Sequence, residues 1–324
     1  MQMHYIKSNL VILHFLLISS ITFAQSSNDT SYTESDITLT TKTGQIFGTL
    51  CTPKQFTKIP VALIIAGSGP TDRDCNSILS GIKTDAYKLL AHQLSAYGIA
   101  TVRYDKRGVA KSKDALKSET DIRFDDYISD ASDWVQLLRS DSRFSKVIII
   151  GHSEGSLLGM VAATKNTDKY ISISGPGQSI DKTLTEQLKS KPIAIQDSAA
   201  VIMDSLKLGK TVKHVPLNVL MLFRPSVQPY MISWFKYDPQ IEIKKLTIPV
   251  LIIQGTSDMQ VSVDDAKRLA TAKPDAKLVL INGMNHVFKK VGDSKEDNTK
   301  SYSDPSLPVD EKLVTTIETF INGK

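Results

Sequence analysis

The chain has 324 residues, 41% of them hydrophobic and 23% charged, which suits a globular protein with one large core or two small ones. Its 39 basic and 34 acidic side chains leave a net charge of +5, spread thinly, with no run of five Lys/Arg. That pattern argues against a nucleic-acid or membrane-surface role, either of which needs a concentrated basic patch.

In chain order, Lys7 precedes an apolar run at 10–18, too short for a bilayer-spanning helix of about 20 residues. A charged start, a short apolar centre and small residues at Thr22 and Ala24 describe a secretory signal cleaved after Ala24. The alternative is an uncleaved anchor. Either way the domain is expected outside the cytoplasm, periplasmic or secreted, with no stable membrane insertion once the signal is removed. Residues 25–36 are polar and Ser/Thr/Asn-rich, and read as a disordered mature N-terminus. Cys51 and Cys75 would sit where disulfides form, but their spacing leaves a bridge and two free thiols equally open.

From residue 37 to the end, strand-like and helix-like segments alternate. Segments 37–40 and 45–51 read as a hairpin around Thr43-Gly44. Segment 61–66 is continuously apolar and ends in Gly67-Ser68-Gly69-Pro70, as a strand buried on both faces would. An amphipathic helix at 86–97 leads to a strand at 99–104, and a helix at 122–139 to a strand at 147–150. Further strands fall at 171–174, 250–254 and 278–281. Strands separated by helices imply right-handed crossovers and a mostly parallel sheet flanked by helices. Between 178 and 246, after the sixth strand, the alternation fails. Helical segments at 183–191 and 196–208, with Pro216, Pro225, Pro229 and Pro239, read as an inserted helical region, not a second domain.

The chemistry concentrates at Gly151-His152-Ser153-Glu154-Gly155. The strand before it and the helix-compatible run after it are the context of a nucleophile elbow, where the backbone packs too closely for larger side chains. A serine hydroxyl needs an adjacent base. Of six histidines, His4 and His14 lie in the leader, His92 in a helix and His214 in the insertion. His152 is expected to point away from the serine beside it. His286, in Gly283-Met284-Asn285-His286 after the last strand, remains as the base. The acid that orients it is expected to be Asp258, directly after the strand at 250–254. Asp264 and Asp265 compete, but they stand where a helix begins and capping accounts for them. An oxyanion hole needs two backbone N–H donors, expected from Ser68 and Glu154. Pro70 has no N–H to offer.

Gly67-Ser68-Gly69-Pro70-Thr71-Asp72-Arg73-Asp74, Arg103-Tyr104-Asp105-Lys106-Arg107-Gly108 and the Gly-His-Ser-Glu-Gly segment together resemble the α/β-hydrolase superfamily. Within it they resemble a bacterial esterase branch of serine-aminopeptidase-like and lysophospholipase-like hydrolases, from about residue 37 to 320. The resemblance implies the α/β-hydrolase fold, cleavage of carboxylic esters with a small-molecule ester as partner, no metal or other cofactor, and a helical lid over the site. Cys75 and Ala110 depart from it, each standing where glycine is usual. Asp72, Arg73 and Asp74 read as a structural ion-pair cluster, or else as pocket lining. Two alternatives to the esterase stay open: a peptidase on the same triad, and a hydrolase-like binding protein without turnover. A histidine base also implies that kcat/KM rises through one ionisation between about pH 6 and 7.5.

Overall fold

The computed structural model describes residues 31–323 except Phe56 and Asp293. The expected leader, 1–24, lies outside the described residues, as does most of the stretch read as a disordered start. The end of that stretch is corrected: Tyr32–Thr41 is the first strand, β1, paired antiparallel along its length with β2, Gly44–Pro53. It is an edge strand whose first half is largely exposed, so neither face carries the apolar alternation that marks a strand in sequence. Glu34, inside the misread segment, accepts from Arg103 at 2.8 Å and contacts His92 at 2.8 Å.

Six more strands complete the sheet: β3 (Ile59–Ile65), β4 (Ala100–Tyr104), β5 (Phe144–His152), β6 (Lys169–Ile173), β7 (Val250–Gly255) and β8 (Lys277–Ile281). Their spatial order is β1-β2-β4-β3-β5-β6-β7-β8, parallel from β4 onward. Strand β3 is apolar at every position because both faces of the sheet are covered there. Val61, Leu63 and Ile65 enter one core, while Ala62 and Ile64 enter the other. Helices α1 (Ala86–Ser95) and, near the C-terminus, Glu311–Asn322 cover one face. Helices α2 (Phe124–Ser140) and α3 (Glu154–Ala162) cover the opposite face with buried Trp134, Leu157 and Leu158. Each such side chain contributes about 1.5–3 kcal/mol of transfer free energy.

Between β6 and β7 the chain forms five helices, α4 (Ile180–Leu188), α5 (Ile193–Lys207), α6 (Leu220–Phe223), α7 (Gln228–Trp234) and α8 (Pro239–Lys244). They occupy the position expected for the insertion. Trp234 of α7 stacks on Phe124 of α2 at 5.2 Å between ring centroids, which fixes α7 to the core beneath it.

Both departures from the esterase-branch pattern fall on left-handed backbone: Cys75 has φ 74° and Ala110 φ 44°. Glycine is usual there because a Cβ is strained at positive φ. Asp74 binds Arg103 at 2.7 Å and Arg73 binds Asp105 at 2.6 Å, so this loop is held by ion pairs, as the structural reading expects. The two thiols are free and buried. Burial pushes the Cys51 thiol up to about 12 and the Cys75 thiol up to about 11.

Candidate active site

Strand β5 runs directly into α3, and Ser153 sits at the junction with φ 54° and ψ −121°. The turn is possible only because Gly151 and Gly155 lack side chains. A Cβ on Gly155 would lie 2.3 Å from the Ile65 carbonyl oxygen, and one on Gly151 would lie 2.3 Å from that of Gly155. Ser153 is therefore held at the carboxyl edge of the sheet, at the N-terminus of α3, where free N–H groups and the helix dipole favour negative charge. Glu154 is the first residue of that helix.

On the next strands, Asp258 follows β7 and His286 follows β8. His286 Nδ1 lies 2.8 Å from Asp258 Oδ2, and both side chains are almost wholly buried. A carboxylate only accepts, so Nδ1 carries the proton and Nε2 keeps a lone pair. Gln254 Nε2 donates to Oδ2 at 3.1 Å, and the backbone N–H groups of Gln260 and Val261 donate to Oδ1 at 2.8 and 3.0 Å. Burial alone would raise the Asp258 carboxyl, but the His286 imidazole and the Val261 and Gln260 backbone N–H groups hold it down to about 2. Asp264 and Asp265 are elsewhere engaged. Asp265 forms a capping box with Ser262 at the head of α9 (Val263–Ala272), and Asp264 pairs with Lys267 in solvent.

His152 is bonded to Tyr87 and to the His286 loop. Its Nδ1 lies 2.6 Å from the Tyr87 hydroxyl, and its Nε2 donates to the His286 carbonyl oxygen at 2.9 Å. The His152 and His286 rings lie 4.6 Å apart between centroids. Burial, then the neighbouring His286, keeps His152 well below the usual histidine range, so it stays neutral. It thereby ties the His286 loop to the residue before Ser153. Asn285 braces the same loop, accepting from the Val287 and Lys289 backbone N–H groups and donating to Asn298 and Ser301. Among the described residues, the hydrogen bonds at the site join Asp258, His286, His152 and Tyr87, and none includes the Ser153 hydroxyl.

Ser68, in the turn after β3, follows Gly67, where an added Cβ would lie 3.2 Å from Ser153 Cβ. The Gly67 N–H is taken by the Tyr87 hydroxyl at 3.1 Å. The structure thus places the Ser68 turn beside the elbow, next to Glu154.

Two side chains that sequence reasoning passed over complete the surroundings. Lys106 is buried and reaches Glu154 Oε1 at 3.0 Å and the Gly67 carbonyl oxygen at 2.6 Å. Tyr87, on α1, links Gly67 to His152. Lys106 stands in one of the motifs that carry the resemblance, but the sequence marks neither its contacts nor those of Tyr87, because each is defined by partners 20 to 65 residues away. Next to the elbow opens a cavity of about 430 Å³, bounded by Gly69, Lys106, Glu154 and Ile122 from the core and by Val227 and Tyr230 from α7 and its approach. The insertion therefore walls a cavity shared with the residue after the candidate nucleophile.

The chain has the α/β-hydrolase fold and is similar in sequence to hydrolases of that superfamily. Residues 81–241 match the serine aminopeptidase family. Among characterised proteins it resembles esterase EstD of Thermotoga maritima, with 28% identity over 265 residues. That match takes in 80% of this chain but only 60% of the length of the Thermotoga protein. Among solved structures, Est1E from Butyrivibrio proteoclasticus matches with a TM-score of 0.57 and 17% identity, over 89% of this chain and 98% of that one. The Pyrococcus furiosus esterase Pf2001 matches with a TM-score of 0.54 and 15% identity, over 91% and 94% of the two chains.

Proposed function

We propose that this protein is a serine esterase that cleaves carboxylic esters of small molecules through an acyl-enzyme. His286 Nε2 takes the proton of the Ser153 hydroxyl, whose oxygen attacks the ester carbonyl. The backbone N–H groups of Ser68 and Glu154 receive the oxyanion, and His286 returns the proton to the departing alcohol. Water then repeats the cycle and releases the acid. Asp258 stays ionised throughout and holds the imidazole in the tautomer this requires. The observation that carries the reading is a buried Asp258–His286 bond whose loop is tied through His152 to an elbow serine at positive φ. The serine–histidine bond belongs to the substrate-bound geometry, since such contacts tighten on binding. Helices α4–α8 serve as the lid, and the leader at 1–24 directs export to the periplasm or medium.

The peptidase alternative rests on the matched family description. An aminopeptidase has to offer a free carboxylate cluster to the substrate's α-ammonium group. The two carboxylates that line the cavity are each paired with a cation, Glu154 with Lys106 and Glu119 with Arg224. In the insertion Asp181 binds Lys207 and Glu242 binds Lys245, while Asp238 caps α8. Esters, which carry no ammonium group there, fit this arrangement better. Turnover of p-nitrophenyl esters from acetate upward, compared with aminoacyl p-nitroanilides, decides between them. Ester kcat/KM should exceed the best anilide by at least about 100-fold. A preference for the anilides would make the protein a peptidase. Failure of a fluorophosphonate probe to label Ser153 would leave a binding protein.

A further inference from the structure

Segment Asp105-Lys106-Arg107 follows β4, and its three charges have different destinations. Asp105 accepts from the Arg73 guanidinium at 2.6 Å, and Arg107 pairs with Asp130 on α2. Both lock the segment to the scaffold. Lys106 between them turns inward, is 1% exposed, and has all three ammonium protons directed: to the Gly67 carbonyl oxygen at 2.6 Å, to Glu154 Oε1 at 3.0 Å and toward the face of Tyr127, 5.0 Å from the ring centroid.

Those first two partners are not arbitrary. The Gly67 carbonyl and the Ser68 N–H belong to the same planar peptide unit. An ammonium fixed on the oxygen of that unit sets the direction in which its N–H points. It also draws electron density toward the oxygen, which makes the N–H a stronger donor. The second partner is the side chain of Glu154, whose own N–H is the other donor. The Gly67 unit is held from its other side as well, by the Tyr87 hydroxyl on the Gly67 N–H. One buried cation thus touches both chain segments that supply the oxyanion hole, and among the described residues it reaches no other by hydrogen bond.

We propose that Lys106 is a positioning residue of the oxyanion hole: its ammonium clamps the Gly67–Ser68 peptide and the Glu154 side chain together, so that the Ser68 and Glu154 N–H groups converge on one point. This rests on the acyl-transfer reading given above. Because the clamp acts on charge that develops in the tetrahedral intermediate, its loss lowers kcat and leaves KM nearly alone. It also weakens a trifluoromethyl ketone, to whose carbonyl carbon the Ser153 oxygen adds while the serine proton passes to His286 and the ketone oxygen becomes an oxyanion.

The test uses the full-length protein as Lys106→Met and as Lys106→Met/Glu154→Gln. The double variant removes both buried charges, so it carries the test if the single one fails to fold through its orphaned carboxylate. In the folded variant kcat on a p-nitrophenyl ester should fall about 100-fold, the size of losing one oxyanion donor, with KM within threefold. Affinity for an alkyl trifluoromethyl ketone should fall in parallel with kcat/KM, while affinity for the matching alkyl alcohol stays within threefold. Turnover within fivefold of the parent protein overturns the proposal. So does a loss of kcat that leaves the ketone affinity unchanged, because the damage then lies outside the hole. If Ser153→Ala retains turnover, the acyl-transfer reading itself is wrong, an outcome separate from either of these.

Discussion

Ser153→Ala should lower ester turnover by about 10⁵- to 10⁶-fold while leaving the melting temperature within a few degrees. The substitution deletes the nucleophilic oxygen and almost no volume, and alanine tolerates the elbow only as poorly as serine does at φ 54°. His286→Ala should fall nearly as far, since a serine without its base is a weak nucleophile. The two losses should not add: groups that act as one unit leave the same residual rate whichever is removed. Single-turnover and steady-state rates of the two single variants and the double variant on a soluble p-nitrophenyl ester check this. A double variant slower than both by a further 10³-fold would mean that the two residues act independently.

Asp258→Asn should cost about 10⁴-fold in kcat. An amide in that position can donate to His286 Nδ1, which favours the tautomer protonated on Nε2, the nitrogen that has to accept the serine proton. Asp265→Asn should leave kcat within a few-fold, since its carboxylate serves Ser262, Gly177 and Arg268 instead. Asp258 also makes a pH prediction for stability. Its carboxyl is held at about 2 in the folded protein, below the value near 3.9 of an unfolded chain. A depressed carboxyl stabilises the fold fully above the unfolded value, and that contribution is lost as pH falls from about 4 to about 2. Melting curves from pH 2 to 7 should therefore show a steeper acid limb for the parent than for Asp258→Asn. Equal limbs would mean that the carboxylate is not held as the hydrogen bonds imply.

Much of this arrangement was legible in the chain because it depends on neighbours in sequence. The elbow is a strand, a turn and a helix in succession, and the apolar runs of β3 and β5 need only their own residues to declare burial on both faces. Asp258 and His286 were legible because parallel strands deliver their following loops to one edge. The misread β1 is the converse case. Its identity as a strand comes from pairing with β2 and from the bonds of Glu34 to Arg103 and His92, not from its polar composition. Lys106 fell from view for a similar reason: beside two other charges in Asp-Lys-Arg it reads as one more surface cation, and only the path of the chain brings it under Gly67. Cys75 and Ala110 were visible as departures, but that both sit at positive φ needed the backbone.

The two cysteines bear on how the protein can be handled. Neither is bridged, each is buried, and each holds its proton far above neutral pH, so thiolate is scarce and access is poor. The fold asks nothing of an oxidising machinery, and the domain should reach the same state when synthesised in a reducing cytosol as in an oxidising one. Hydrolysis should survive an hour of iodoacetamide at pH 7.5 with more than about nine-tenths of the rate intact. That insensitivity gives a convenient chemical contrast, since a phosphonate reagent should silence the same preparation.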